Sequence, residues 1–178
     1  MSRGRRAVAL ALGLFLGLVP ELTLTGCHRV ELEDARQSPY LRALWLPSVG
    51  TAPWNWRRLP GQVVVVSFFA TWSFTSLLQL PVLQGIQQAY AGRGLQVVLV
   101  GMDLDGAKVL GPFAESASPG LPILLSDESL QQGRSAYGII PALPATFLLD
   151  REGRVAGAWQ GVASRQALEE AVEALLRR

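Results

Sequence analysis

Two hydroxyls, Ser73 and Ser76, sit three residues apart at a turn between an apolar run and a helical pattern. They are the first candidates for chemistry in this chain. A serine attacks only when a neighbouring base takes its proton. The single histidine, His28, stands beside the single cysteine, Cys27, far ahead of that turn. A Ser-His-Asp or Cys-His mechanism would have to draw its histidine from there, which argues against both. One cysteine makes no intramolecular disulfide, and one Cys with one His assembles no structural zinc site. Met102, Asp103, Asp105 and Asp127 are the other conceivable ligands, and they make a poor set for a soft metal. The "DLD" at 103–105 reads more simply as a strand ending on a solvated loop. The residues therefore assign no metal and no cofactor. Ser73 reads as a helix N-cap, and Ser76 as a hydroxyl satisfied locally.

The elements that hold this turn are legible from periodicity. Val63–Phe69 is a continuous apolar, β-branched run, the pattern of a strand buried on both faces. Ser76–Ala91 follows as a helix that stops at "GRG", and Leu95–Met102 is a second buried strand. A weaker helical stretch begins at Asp105 and contains Gly111-Pro112; Leu121–Leu125 is a short apolar piece, and Ser129–Tyr137 a further helix. Pro144–Asp150 and Val155–Trp159 form a strand-turn-strand across "DREG". Ser164 caps a last amphipathic helix, Arg165–Leu176, with Leu168, Val172, Leu175 and Leu176 on one face. A helix between two buried strands calls for a right-handed crossover and a parallel pair. The predicted fold is a mixed-sheet α/β sandwich, with central parallel strands, a C-terminal antiparallel hairpin and helices on both faces.

The 178 residues suit one domain, at 49% hydrophobic and 17% charged. Residues 1–26 carry three arginines against Glu21, and the remainder balances to neutral. A neutral body with scattered signs gives no electrostatic reason to expect nucleic acid or an anionic membrane as partner. The arginine start and the apolar run from Ala7 to Val19 form an export signal, too short to span a bilayer. "LTGC", Leu24–Cys27, resembles the lipobox of bacterial lipoproteins, which implies cleavage ahead of Cys27 and acylation of its thiol and new amino terminus. Glu21, close to the cleavage point, departs from that pattern, and an uncleaved signal anchor is the alternative. Simple secretion is the other alternative; every form places the body outside the cytoplasm, and the lipoprotein form puts it on the membrane of the cell envelope. Residues 27–53 form an irregular arm with Pro39, Pro47, Pro53 and Trp45. Trp45, Trp54 and Trp56 suggest that the chain here packs on the domain; a tryptophan-rich ligand patch is the alternative. The domain proper is expected over 54–178.

Three pieces carry a family resemblance. "VVVVSFFATWSFTSLLQLPVLQ" is similar to the first strand and helix of the thioredoxin fold in its exported TlpA/ResA-like, redoxin-related branch, matching at Phe68, Ala70, Thr71, Trp72, Pro81 and Leu83. "LPATFLLDREG" resembles the branch's cis-proline loop, with Pro144 as that proline, and "GAWQGVASRQALEEAVEALL" its last strand and helix. The resemblance places Ser73 and Ser76 where the family has its two reactive cysteines. The first cysteine works as a thiolate stabilised by a helix N-terminus, and the second resolves the mixed disulfide. Serines at both positions remove that couple, so no catalytic residue is assigned.

What the resemblance leaves is geometry. In the family an extended segment pairs with the backbone just before the cis-proline. Here that backbone belongs to Leu143, and Pro144, Trp72 and Phe74 form an apolar rim. Such pairing needs backbone groups and pockets, not thiols. One reading is thus a redox-inactive, lipid-anchored domain that binds a protein or peptide partner at this surface. The alternative is the thiol-disulfide oxidoreductase that the resemblance implies. A purely structural place in an envelope complex is indistinguishable from the first on sequence.

Overall fold

The computed structural model describes residues 34–117 and 119–178; the signal-type segment 1–26 and Cys27 lie outside the described residues. In chain order the strands are β1 (Ser48–Val49), β2 (Val63–Phe69), β3 (Leu95–Gly101), β4 (Ile123–Leu125), β5 (Ala145–Leu149) and β6 (Val155–Gln160). The helices are α1 (Pro39–Arg42), α2 (Phe74–Tyr90), α3 (Ala107–Ala117), α4 (Glu128–Gln131) and α5 (Arg165–Leu176). The strands form one sheet in the order β1-β4-β3-β2-β5-β6. β2, β3 and β4 run parallel, β5 and β6 form the antiparallel hairpin on β2, and β1 lies antiparallel on β4. This is the mixed α/β sheet expected.

Every residue of β2 is buried because both sheet faces are covered. Val63, Val65 and Phe69 pack under α2, α3 and α5, among Leu83, Ile86, Leu110, Leu168 and Val172. Val64, Val66 and Phe68 point to the other face. Ser67, the one polar residue of the run, is matched across the register by Thr146, the two hydroxyl oxygens lying 3.1 Å apart. α5 follows the Ser164 cap, whose Oγ accepts the Ala167 N–H.

The second face is covered by short helices together with irregular chain. Ala35, Leu41, Leu44, Leu46 and Leu59 cover it, together with Leu130 and Tyr137. The packed unit thus takes in residues well ahead of Trp54, and the chain at 48–49 adds an edge strand. Ser38 fixes this segment: its Oγ donates to the Gly153 carbonyl at 2.6 Å and accepts the Leu41 N–H. Leu44 is fully buried, so Leu44→Ala leaves a cavity. It is expected to cost about 2–5 kcal/mol, read from denaturant unfolding of the variant against wild type.

The helix predicted over 129–137 is confined to Glu128–Gln131. Gly133 adopts φ 69°, and a Cβ there would lie 2.6 Å from Ile139 Cγ1, so the chain turns at a glycine that nothing larger replaces. That turn releases Tyr137 into the core, edge-on to Phe68 and Phe147, with its hydroxyl donating to the Tyr40 carbonyl. Burial pushes the Tyr137 phenol far above its ordinary pKa.

Candidate functional site

The turn at 70–73 leaves the carboxyl end of β2 and enters α2 without slack. Met102 donates its N–H to the Phe69 carbonyl, so the ends of β2 and β3 are tied. Thr71 then donates its N–H to both carboxylate oxygens of Asp103, at 3.2 and 3.1 Å, and its hydroxyl to Oδ1 at 2.6 Å. Asp103 is buried, which corrects the solvated-loop reading of "DLD"; only Leu104 and Asp105 face solvent. A buried carboxylate is stable where it gathers such charge-assisted bonds, and this one anchors the turn.

Ser73 is the N-cap of α2, with extended backbone and its Oγ accepting the Ser76 N–H at 3.3 Å. Ser76 is fully buried, and its Oγ faces the Ala70 N–H at 3.5 Å. Between them Thr75, which the sequence reading passed over, reaches across to the proline loop. Its hydroxyl donates to the Leu143 carbonyl at 3.0 Å and lies 3.1 Å from Ser73 Oγ. The Leu143 carbonyl also lies 3.5 Å from Ser73 Oγ, so both hydroxyls converge on it. The result is one chain of bonds, from Ser76 N–H through Ser73 and Thr75 to the Leu143 carbonyl. The Ser73 hydroxyl caps the helix and meets the loop, while the Ser76 hydroxyl is satisfied locally at the turn by Ala70.

The Leu143-Pro144 peptide bond is cis. The Pro144 carbonyl accepts the Gly161 N–H at 2.8 Å, joining the loop to the end of β6. Among the described residues the Leu143 N–H has no hydrogen-bond partner. Of the four residues expected to form a rim, Trp72 and Phe74 are 74% and 72% exposed, Leu143 is half-buried, and Pro144 is buried. Pro144 therefore shapes the loop and contributes no exposed ring. Trp72 takes a surface position. The apolar surface extends further than predicted. Leu104 follows β3, Ile139 leads toward Leu143 and Val162 follows β6, and all three are exposed. β2 and β3 end, β5 begins and β6 ends on this side, so topology brings all five side chains to one end of the sheet. No periodicity announces Leu104, Ile139 or Val162, because each lies in a loop.

The family model for Redoxin matches residues 34–176. The chain belongs to the Redoxin family. It is 26% identical over 115 residues to the thiol-disulfide oxidoreductase ResA of Geobacillus thermodenitrificans, spanning 65% of this chain and 64% of that protein. A match of the same order, 25% over 115 residues, is found to the thioredoxin-like protein YneN of Bacillus subtilis. Among solved structures, a Chlorobium tepidum protein of the DsbE thiol:disulfide interchange type superposes with a TM-score of 0.61 at 26% identity, covering 74% of this chain and 99% of that one. These agree with the thioredoxin-like sheet and the match to a ResA-like redoxin. The redoxin match begins at residue 34, in line with the packing of the N-terminal segment on the sheet.

Proposed function

We propose that this chain is a thioredoxin-like domain of the cell envelope, without thiol-disulfide chemistry of its own, that binds a protein or peptide partner at the Ser73–Leu143 end. A membrane anchor through Cys27 belongs to the same reading. The observation that carries it is the state of the two serines. Both hydroxyls are buried and committed to hydrogen bonds, while Trp72 and Phe74 beside them stand exposed.

A serine hydroxyl stays protonated at neutral pH unless a base adjoins it, and it forms no disulfide. The chain has no cysteine after Cys27 and no histidine after His28. An open Leu143 N–H at the same end of the sheet as the exposed Trp72 and Phe74 supports recognition by strand addition, where main-chain bonds give affinity and side-chain contacts give selectivity. The names of the relatives favour the second reading, an oxidoreductase, and the two readings part in one assay. The purified chain is expected to leave insulin disulfides intact in the presence of dithiothreitol beyond the reagent's own rate. Robust protein-dependent reduction would overturn the first reading and restore the second.

A further inference from the structure

The arginines that look scattered along the sequence are gathered by the fold. Residues 34–60 hold Arg36, Arg42, Arg57 and Arg58 against the single acid Asp34, whereas residues 61–178 carry two more acids than bases. Arg36, Arg42 and Arg57 line one open groove of about 530 Å³ with Trp45, Trp56 and Pro60, and no acid lines it. Trp45 and Trp56 stack with centroids 4.0 Å apart. Arg42 lies 5.4 Å over the Trp45 ring and Arg57 4.5 Å over that of Trp56. The indole faces are thus occupied by each other and by guanidinium groups. Stacking and the guanidinium contacts disfavour insertion of a flat ligand between the rings, and the exposed arginines present positive charge outward. Trp with Arg in this combination is the composition of a surface resting at a lipid headgroup layer.

The position of the groove supports the same occupant. Only eight residues lie between Cys27 and Arg36, a tether of at most about 30 Å when fully extended. An anchor at Cys27 would therefore hold this face beside the bilayer at high effective concentration. The groove lies near the start of β2, where Ser38 bonds Gly153 and Gly61 bonds Arg151. Ser73 and Leu143 lie at the other end of the strand, roughly 20 Å away at about 3.3 Å per residue.

We propose that the Arg36/Arg42/Arg57–Trp45/Trp56 face docks on an anionic lipid surface, resting on the anchor reading above, and leaves the Ser73–Leu143 end uncovered toward its partner. The test uses the full chain reconstituted on vesicles of phosphatidylcholine alone or mixed with phosphatidylglycerol, each containing lipids with a headgroup quencher of tryptophan fluorescence. Quenching is expected on the anionic vesicles, reversed by high salt, and absent from a Trp45→Phe/Trp56→Phe variant. In Arg36→Gln/Arg42→Gln/Arg57→Gln the ratio of docked to undocked domain should fall roughly 100-fold, with thermal unfolding unchanged because all three side chains are exposed. Co-flotation of the chain with its Trp45/Trp56 signal unmoved would overturn the docking and leave the anchor standing. Loss of flotation from both kinds of vesicle would remove the anchor and the docking together.

Discussion

The double variant Ser73→Cys/Ser76→Cys is expected to form a reducible disulfide and to gain dithiol-dependent insulin reduction, orders of magnitude above the wild-type background. The geometry for it is already in place. Ser73 Oγ occupies the N-cap, accepting the Ser76 N–H at the positive end of a 17-residue helix. A thiol at that point is stabilised as thiolate, with a pKa in the range of about 3.5–7.5. Position 76, one turn into the helix and fully buried, suits the resolving thiol, which acts only after the outer sulfur has been attacked. Ser73→Cys alone should accept a mixed disulfide without turnover, since nothing resolves it. Alkylation and mass measurement before and after reduction count the thiols directly. A double variant that folds yet keeps two free thiols under oxidation would count against the equivalence of this turn with the family's reactive pair.

The parts of the fold that could be read from sequence are those whose local pattern has one solution. β2 agrees residue for residue with its prediction because seven consecutive buried positions admit little else. α5 agrees because its cap and its apolar stripe coincide. The N-terminal segment was harder. Leu41, Leu44 and Leu46 lie among prolines with no sustained period, and only the tertiary contact reveals that they close a sheet face. Edge strand β1 has two residues, too few to show alternation. The site divides in the same way. The Ser73 cap and the Leu143-Pro144 loop follow from local residues and motif. Thr75 and Asp103 do not, because their roles depend on partners 68 and 32 positions away. A threonine beside two serines looks like one more hydroxyl until the proline loop arrives over it.

Trp72→Ala/Phe74→Ala is expected to abolish capture of the partner while leaving the fold intact. Both rings stand in solvent, at the same end of the sheet as Leu104 and Val162, and none of the hydrogen bonds that set the turn involves either side chain. Unfolding should accordingly shift by no more than about 0.5 kcal/mol, as for other exposed substitutions. Aromatic residues buried at the centre of an interface commonly cost about 2 kcal/mol or more each when truncated. Two lost together would weaken binding by roughly a thousandfold, at about 1.4 kcal/mol per factor of ten. Parallel pull-downs from solubilised membranes, using the full chain as wild type and as variant, measure this by the ratio of each recovered protein. Partners recovered equally by both would sink the proposal that this end of the sheet is the binding surface. Adding Leu143→Asp separates the two components of recognition. If the rim supplies apolar contact and the Leu143 backbone supplies strand pairing, a charge beside the pairing edge should weaken binding even with both rings present. If only the rings matter, Leu143→Asp should bind as wild type does, and strand addition would be the component that fails.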